Sequence, residues 1–498
     1  MPRRAGVQFD VLALLAVAAT LHSVPARYAE YGFGGVVLVA RGNRVILHRG
    51  YGLADRERKI PNTPATRFPI ASITKSFTAA AILQLADAGK LALDDPIPPH
   101  GFTIRQLLTH TSGLPPEEDG ATLQTVKLKA PPGTKEIYSN FGYNVLATIV
   151  ENASGEKFSV YVTNHLTHGL PQTNFEMTNI AVGYAGSEDE PEATKPPTYA
   201  AKFGSGAMVS TAADLFAWSK RAPKQFVWEA EKTEDGRRVL ESGGDWDGYK
   251  SDLRVYPDDG VTIVVLANVR PNTMRWNPTL IRNLERVLFK SRIPFLPPHV
   301  GRASARPPTG NYGAFRIKSN GEILSVQALT QPAVDVLAYP HGQRPNELRD
   351  LDDDTRALLD ILQAADQTKI ASIAETQQSV PTFATWWQQR IASKYGALKA
   401  AIILGTAPKG PSRWETYVKL DLERGAEMVR VVRRRGTLKL TAIGTGGDAP
   451  FAAAFRPIGG GAFASFDVPA EEIVTLTAKN DAIVVRRGET EVRATLAP

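Results

Sequence analysis

Phe68-Pro69-Ile70-Ala71-Ser72-Ile73-Thr74-Lys75 is the stretch on which the fold assignment depends. It opens a run of good helix formers from Ile70 to Ala88, with apolar residues at helical spacing and Gly89 behind it as a C-terminal cap. Ser72 and Lys75 are three residues apart, and side chains at that spacing lie on one face of a helix. The stretch therefore predicts a hydroxyl and an amine within reach of each other at the start of a buried helix.

This pairing points to nucleophilic catalysis by Ser72. A serine hydroxyl is a weak nucleophile until a neighbouring base takes its proton, and a desolvated lysine amine can share that task. The spacing alone is weak evidence, because Ser154-Gly155-Glu156-Lys157 repeats it. We interpret that second copy as a loop. Ser72 is instead expected at a helix N-terminus, where backbone N–H groups stabilise developing negative charge.

Strands are predicted on both sides of this helix. Residues 34–40 and 44–48 are two β-branched runs separated by Arg41-Gly42-Asn43, which predicts a hairpin. Residues 261–267 form a continuous apolar run suited to a central strand, and residues 280–289 have helical spacing. Strands at both ends with helices between them indicate an α+β layer in which the terminal strands share one sheet.

Several segments in order resemble the penicillin-recognising serine hydrolases, in the branch related to class C β-lactamases that contains esterases, D-amino-acid peptidases and carboxypeptidases. They are Ser72-Ile73-Thr74-Lys75, Leu107-Leu108-Thr109-His110-Thr111-Ser112-Gly113-Leu114, Tyr138-Ser139-Asn140 and Gly204-Ser205-Gly206. The resemblance covers residues 30–290. It implies the β-lactamase/DD-peptidase fold, an antiparallel sheet flanked by helices plus a helical subdomain, acting on a small-molecule or peptide substrate without a cofactor.

The resemblance also implies roles for individual residues. Tyr138 would lie near Ser72 and Lys75, share the base's work during attack and pass a proton to the leaving group. Asn140 would hydrogen-bond the acyl side of the substrate. His110 would be structural, holding a loop, and would not complete a catalytic triad.

The third motif of the family is altered in this chain. Relatives carry Lys-Thr-Gly or His-x-Gly, whereas the matching residues here are Ser242, Gly243, Gly244 and Asp245. The glycines let a substrate lie against the strand, and the backbone N–H of Asp245 would complete an oxyanion hole with that of Ser72. A serine hydroxyl binds a carboxylate more weakly than a charged donor does. The sequence therefore predicts a bias towards neutral esters or amides and away from efficient β-lactamase activity; a non-catalytic binding or scaffolding protein is the alternative.

The amino-acid composition excludes several other classes of function. The 498 residues are 43% hydrophobic and 22% charged, with a net charge of +7 and no cysteine. These values indicate a folded protein of two or three domains without disulfides or thiolate metal sites. The sequence contains no cluster of histidines and carboxylates of the kind that binds a metal, so no metal is expected. The basic residues towards the end of the chain are not interleaved with aromatic side chains, so no nucleic-acid partner is expected. The sequence is compatible with either a monomer or a homo-oligomer.

The N-terminus has two interpretations. Pro2-Arg3-Arg4, the apolar stretch from Val11 to Thr20 and Ser23-Val24-Pro25-Ala26 follow the order of a secretory signal peptide. This order predicts export to the periplasm or the extracellular space. The alternative is a mature amphipathic helix that runs into Tyr28-Ala29-Glu30, in a cytoplasmic protein. The apolar stretch is short for a bilayer span, so no integral span is predicted beyond this segment.

The expected domain order is a signal peptide or N-terminal helix, a serine hydrolase domain, a Pro-rich linker, a β-rich connecting segment and an accessory α+β domain, over residues 1–26, 27–292, 293–308, 309–346 and 347–498. Residues 312–339 alternate as strands do, and residues 353–375 and 381–395 have helical periodicity before further strands. The last part resembles the cone-shaped α+β domain, like nuclear transport factor, that follows some catalytic domains of the family.

Overall fold

A computed structural model describes residues 11–497, except for residues 118–119, 121, 187–190, 196–202, 227, 272–275, 303–306, 322, 409–412, 435, 447–450, 468–471 and 480. The basic start of the predicted signal peptide, residues 2–4, lies outside the described residues. The chain divides into two compact units, residues 1–297 and residues 298–498.

The first unit combines helices with strands. Its strands are β1 (Gly35–Arg41), β2 (Arg44–Tyr51), β3 (Leu53–Asp55), β4 (Ile60–Pro61), β5 (Phe68–Pro69), β6 (Pro96–Ile97), β7 (Phe102–Thr103), β8 (Tyr184–Gly186), β9 (Pro191–Ala193), β10 (Val209–Ser210), β11 (Glu229–Lys232), β12 (Arg238–Trp246), β13 (Tyr249–Tyr256), β14 (Val261–Ala267) and β15 (Val269–Pro271). Its helices are α1 (Val11–Glu30), α2 (Thr74–Asp87), α3 (Ile104–Leu108), α4 (Asn140–Ser154), α5 (Phe158–His165), α6 (Ala212–Arg221) and α7 (Trp276–Phe289).

The main sheet of this unit joins its two ends. Its strand order is β11-β12-β13-β14-β1-β2, with antiparallel neighbours. β1 forms the predicted hairpin with β2 and pairs with β14 on its other side. Every residue of β14 is buried, and because successive side chains alternate between faces, both faces of the sheet are covered there. The prediction that the terminal strands share one sheet is confirmed.

The helix after Ser72 begins later than the sequence pattern predicts. Ala71–Ile73 form a 3-10 turn, and α2 begins at Thr74. Ala71 has a φ of +46°, a conformation uncommon for residues with a Cβ. α2 itself is buried, with the ring of Phe77 stacked on that of Trp218 at a centroid distance of 4.0 Å. Gly89, at φ +68°, ends the helix as the predicted cap.

The segment before β1 folds as α1 and packs into the first unit. Leu21, Val24 and Tyr28 are 0% exposed. Asn283 Nδ2, on α7, donates a hydrogen bond to the hydroxyl of Tyr28 at 3.0 Å. This packing agrees with the second interpretation of the N-terminus, in which the segment is a helix of the folded domain. Export of the protein stays a prediction. In the part of the chain that the structure describes, every helix is too short or too polar to span a bilayer.

The second unit is also built from helices and strands. Its strands are β16 (Gly310–Asn311), β17 (Phe315–Asn320), β18 (Ile323–Ala328), β19 (Leu398–Pro408), β20 (Arg413–Leu422), β21 (Gly425–Arg434), β22 (Leu440–Thr445), β23 (Ala452–Gly459), β24 (Ala462–Asp467), β25 (Glu472–Lys479), β26 (Ala482–Arg487) and β27 (Thr490–Thr495). Its helices are α8 (Gln331–Ala338), α9 (Asn346–Gln363), α10 (Gln367–Ile373), α11 (Val380–Trp387) and α12 (Ser393–Tyr395).

Two antiparallel sheets organise this unit. One has the order β16-β17-β18-β23-β24-β25-β26-β27 and the other β19-β20-β21-β22. β18 pairs with β23, so strands from the segment 310–328 and from the C-terminal region share one sheet. The prediction of strand over residues 331–338 is wrong: they form α8, which buries Ala333, Val334, Val336 and Leu337. The combination makes the second unit α+β, as predicted.

Candidate active site

Ser72 Oγ lies between the two groups expected to exchange protons with it. Lys75 Nζ donates to Ser72 Oγ at 2.9 Å, and the Tyr138 hydroxyl donates to it at 2.8 Å. Lys75 is on the first turn of α2 and is 3% exposed. Tyr138 is 66 residues after Ser72 and lies just before α4. The structure therefore brings together the three residues that the sequence proposed as catalytic.

The amine of Lys75 also donates to two carbonyl-type oxygens. Asn140 Oδ1 accepts at 2.7 Å and the backbone carbonyl of Ser205 at 2.9 Å. These two oxygens can only accept, whereas the Ser72 hydroxyl can donate or accept. The charged ammonium donates to all three oxygens. After the loss of one proton, the neutral amine still has two N–H groups for the two carbonyl-type oxygens and keeps a lone pair for the Ser72 proton. The arrangement thus permits proton transfer from Ser72 to Lys75 at hydrogen-bond distance.

The second serine and lysine pair has a different setting. Ser154 ends α4, and Gly155 follows it in the left-handed conformation, at φ +76°. Lys157 is the residue before α5. The two side chains therefore do not share a helix face. The loop interpretation is confirmed for residues 155–157, whereas Ser154 is the last residue of α4.

Asn140 opens α4, and both ends of its amide are engaged. Oδ1 accepts from Lys75, and Nδ2 donates to Glu117 Oε1 at 2.7 Å. Glu117 was not predicted from the sequence, and neither was the contact of the Ser205 carbonyl with Lys75. The sequence signal that could have indicated Glu117 is its position, three residues after the family-like segment that ends at Leu114. The contact of Asn140 with a substrate stays a prediction.

The hydroxyl of Tyr138 is held in its protonated form. Burial raises the pKa of Tyr138, the hydrogen bond to Ser72 opposes that shift, and the negative charges of Glu229 and Glu117 add to it. The residue as a whole is 48% exposed, yet its hydroxyl is directed at Ser72, so burial at that end governs the direction. At neutral pH the phenol is therefore protonated and can donate a proton, while the share of the base's work that the resemblance implies for Tyr138 stays a prediction.

His110 supports Tyr138 and the start of α4. Its ring centroid is 4.5 Å from that of Tyr138, and its Nδ1 accepts the backbone N–H of Ser139 at 3.0 Å. Burial, with help from the positive charge of Lys75, lowers the pKa of His110 to about 4. A neutral ring that accepts a backbone N–H fixes this loop, in line with the structural role expected for His110.

β12 presents the third motif to the turn that carries Ser72. A Cβ added at Gly244 would lie 2.1 Å from the carbonyl oxygen of Ile70, so only glycine fits there. Alternation along the strand places Ser242 on this same face, where it is 5% exposed. A Cβ at Gly243 would instead point to the other face, 3.7 Å from Lys250 Nζ. The ammonium of Lys250 therefore does not replace the cation that Ser242 lacks.

Asp245 follows Gly244 at the exposed end of β12. Its Oδ1 forms an ion pair with Arg270 Nε at 2.8 Å, and its side chain is 50% exposed. The carboxylate is thus tied to a neighbouring surface arginine. The predicted use of the Asp245 backbone N–H in an oxyanion hole stays a prediction.

Among the residues that the structure describes, no group of three or more His, Cys, Asp or Glu side chains could hold a metal ion. His165, which lies three residues before His168 in the sequence, places Nε2 2.9 Å from Glu156 Oε1.

The sheet, the buried helix behind Ser72 and the ordered motifs define a β-lactamase-like serine hydrolase fold, and comparison with known proteins agrees. The sequence model of the family described as "Beta-lactamase" matches residues 23–286. The chain belongs to the beta-lactamase family of serine hydrolases.

The curated relatives include Protein flp of Staphylococcus aureus (strain NCTC 8325 / PS 47). It is 29% identical over 311 residues, which cover 50% of this chain and 62% of that protein. The chain therefore matches somewhat under two thirds of the length of this relative.

Solved structures with a similar fold include two of stated activity. A D-amino acid amidase from Ochrobactrum anthropi SV3, complexed with D-phenylalanine, has a TM-score of 0.48 at 18% identity, covering 55% of this chain and 100% of that chain. A beta-lactamase/D-alanine carboxypeptidase from Yersinia pestis, complexed with citrate, has a TM-score of 0.46 at 20% identity, covering 54% of this chain and 99% of that chain.

Proposed function

We propose that this protein hydrolyses an ester or amide through a covalent acyl-enzyme on Ser72. The observation that carries the proposal is the convergence of Lys75 Nζ and the Tyr138 hydroxyl on Ser72 Oγ, at 2.9 Å and 2.8 Å. A nucleophile with a base and a proton donor both at hydrogen-bond distance has the parts that acyl transfer needs.

In the proposed first half-reaction Ser72 Oγ attacks the substrate carbonyl carbon and its proton passes to neutral Lys75. The tetrahedral oxyanion is stabilised by the backbone N–H groups of Ser72 and Asp245. As the bond to the leaving group breaks, Tyr138 gives its proton to the leaving oxygen or nitrogen and regains one from Lys75. Water then attacks the acyl-enzyme by the same route in reverse and releases the acid.

The substrate class follows from the neutral third motif. Ser242 offers a hydroxyl where relatives carry a lysine or histidine, and the Lys250 ammonium is on the opposite face of β12. A neutral hydrogen bond holds a carboxylate about half as strongly as a charged one. The site is therefore proposed to act as an esterase or peptidase on neutral acyl groups and to be a poor β-lactamase.

Covalent labelling tests the proposal. A fluorophosphonate probe should label the native protein, and Ser72→Ala should abolish the labelling without lowering the thermal unfolding midpoint. Tyr138→Phe keeps the ring beside His110 and removes the proton donor, so it should slow ester turnover with little change in binding. No Ser72-dependent adduct with fluorophosphonates, activated esters or fluorescent penicillin would instead support the alternative, a non-catalytic binding or scaffolding protein.

Location is a separate proposal. The order of residues 2–26 supports export, whereas the burial of Leu21 and Val24 supports a retained helix. N-terminal sequencing of the protein recovered separately from the cytoplasm and from outside the producing cell distinguishes them. A mature chain beginning after Ala26 supports export, and a chain that keeps residues 11–26 in the cytoplasm supports the alternative.

A further inference from the structure

A continuous series of hydrogen bonds runs from Glu117 to the nucleophile. Glu117 Oε1 accepts from Asn140 Nδ2 at 2.7 Å, Asn140 Oδ1 accepts from Lys75 Nζ at 2.7 Å, and Lys75 Nζ contacts Ser72 Oγ at 2.9 Å. Lys75 and Ser72 have roles in the proposed chemistry. Glu117, at the far end of the series, has no role in the acyl transfer proposed above.

The loop that carries Glu117 is fastened to the start of α4. The backbone N–H of Asn140 donates to the carbonyl of Pro116 at 2.8 Å, and the Ser139 hydroxyl donates to the carbonyl of Pro115 at 2.6 Å. The Ser139 hydroxyl and the Pro115 carbonyl are both buried. Glu117 is therefore held at a fixed place beside the Asn140 amide.

The orientation of the Asn140 amide matters once Lys75 is a neutral base. An amide presents an oxygen at one end and two N–H donors at the other. If the amide rotated by half a turn, its NH₂ would face the Lys75 amine and donate into the lone pair that Ser72 must use. An ionised carboxylate accepts and does not donate, so Glu117 favours the orientation with NH₂ towards itself and Oδ1 towards Lys75.

We propose that Glu117 is a positioning residue that orients the Asn140 amide and so keeps the lone pair of Lys75 available to the Ser72 proton. This role rests on the proposed acyl transfer at Ser72. It acts through Asn140 and involves no contact between Glu117 and the substrate. The required property is an acceptor at the Oε1 position, not a negative charge.

The test compares two variants at one position with a short p-nitrophenyl ester as substrate. Glu117→Leu removes the acceptor and should lower kcat on the order of 10²-fold, the loss expected from a misplaced proton-transfer group, with KM changed less than about threefold. Glu117→Gln keeps an acceptor oxygen and should restore kcat to within about fivefold of the native value. Circular dichroism and the thermal midpoint check that each variant folds; should Glu117→Leu unfold, Glu117→Ala takes its place in the comparison.

A double-mutant cycle with Asn140→Ala separates action through the amide from other effects. If Glu117 acts through Asn140, adding Glu117→Leu to Asn140→Ala should lower kcat no further. A further additive loss, a loss confined to KM, or failure of Glu117→Gln to restore kcat would each overturn the positioning role. Fluorophosphonate labelling of the native protein keeps the two proposals apart. Native protein that does not label contradicts the acyl-enzyme itself, whereas normal labelling with a fully active Glu117→Leu contradicts only the role of Glu117.

Discussion

Replacing Gly244 with alanine should move the third motif away from the nucleophile. The added Cβ would lie 2.1 Å from the Ile70 carbonyl oxygen and 3.2 Å from the Ala71 Cβ. A carbon and a carbonyl oxygen normally approach no closer than about 3.3 Å, so β12 and the Ser72 turn must separate by roughly 1 Å. The Ile70 carbonyl is backbone on the turn that carries Ser72, so no flexible side chain can absorb that shift.

The expected loss can be worked out from this displacement. A misplacement of about 1 Å at a reacting centre costs on the order of 10²-fold in rate, which corresponds to roughly 2.7 kcal/mol of activation free energy. Overpacking should also lower the free energy of unfolding by about 1–3 kcal/mol. Acylation is measured as the rate of fluorophosphonate labelling, well below the unfolding temperature of the variant.

Gly243→Ala is the matched control on the neighbouring residue. Its Cβ would meet nothing closer than Lys250 Nζ at 3.7 Å, an ordinary contact on the opposite face of β12. This variant should therefore lose much less labelling rate than Gly244→Ala, within about threefold of the native protein. Equal rates for the two variants would refute the inference that β12 is seated against the Ser72 turn at Gly244.

Three further results are expected. Ser242→Lys should raise turnover of a carboxylate-bearing β-lactam relative to a p-nitrophenyl ester by about fivefold, because a charged donor adds roughly 1 kcal/mol over a hydroxyl; an unchanged ratio, or a native protein that already prefers the β-lactam, would contradict the neutral-substrate proposal. The pKa of His110 is lowered to about 4 in the folded protein, so the unfolded chain binds the proton first as pH falls from 6.5. The free energy of unfolding should then drop on the order of 3 kcal/mol between pH 6.5 and pH 4. Urea unfolding of His110→Asn over the same pH range should show a drop smaller by that amount; an equal pH dependence in the native protein and the variant would contradict the lowered pKa. Deleting residues 1–26 removes the fully buried Leu21 and Val24 and should lower the free energy of unfolding by about 3–6 kcal/mol; an unchanged midpoint would favour the signal-peptide interpretation.

Features set by neighbouring residues were predictable. The hairpin of β1 and β2 followed from β-branched runs around Arg41-Gly42-Asn43, and the end of α2 followed from Gly89. The approach of Lys75 to Ser72 followed from a spacing of one helical turn. Each of these needs only a few consecutive residues, and local backbone geometry supplies the rest.

Pairing between distant segments was predictable for β1 and β14, which share a sheet as expected, but not in the second unit. Residues 331–338 alternate in a way that suits a strand, but they form α8, while the neighbour of β18 in its sheet is β23. A short apolar segment is compatible with either structure, and the partner that covers it decides between them.

The sequence by itself determined the family, the order of the motifs and the identity of Ser72 and Lys75 as neighbours. The family resemblance added the expectation that Tyr138 lies near them. Only the tertiary structure showed that Asn140 links Lys75 to Glu117 and that Gly244 lies against the backbone of the Ser72 turn. The physical reason is that a hydrogen bond tolerates an error of only a few tenths of an ångström. Segments many residues apart reach that accuracy through the packing of the whole domain, which no local pattern records.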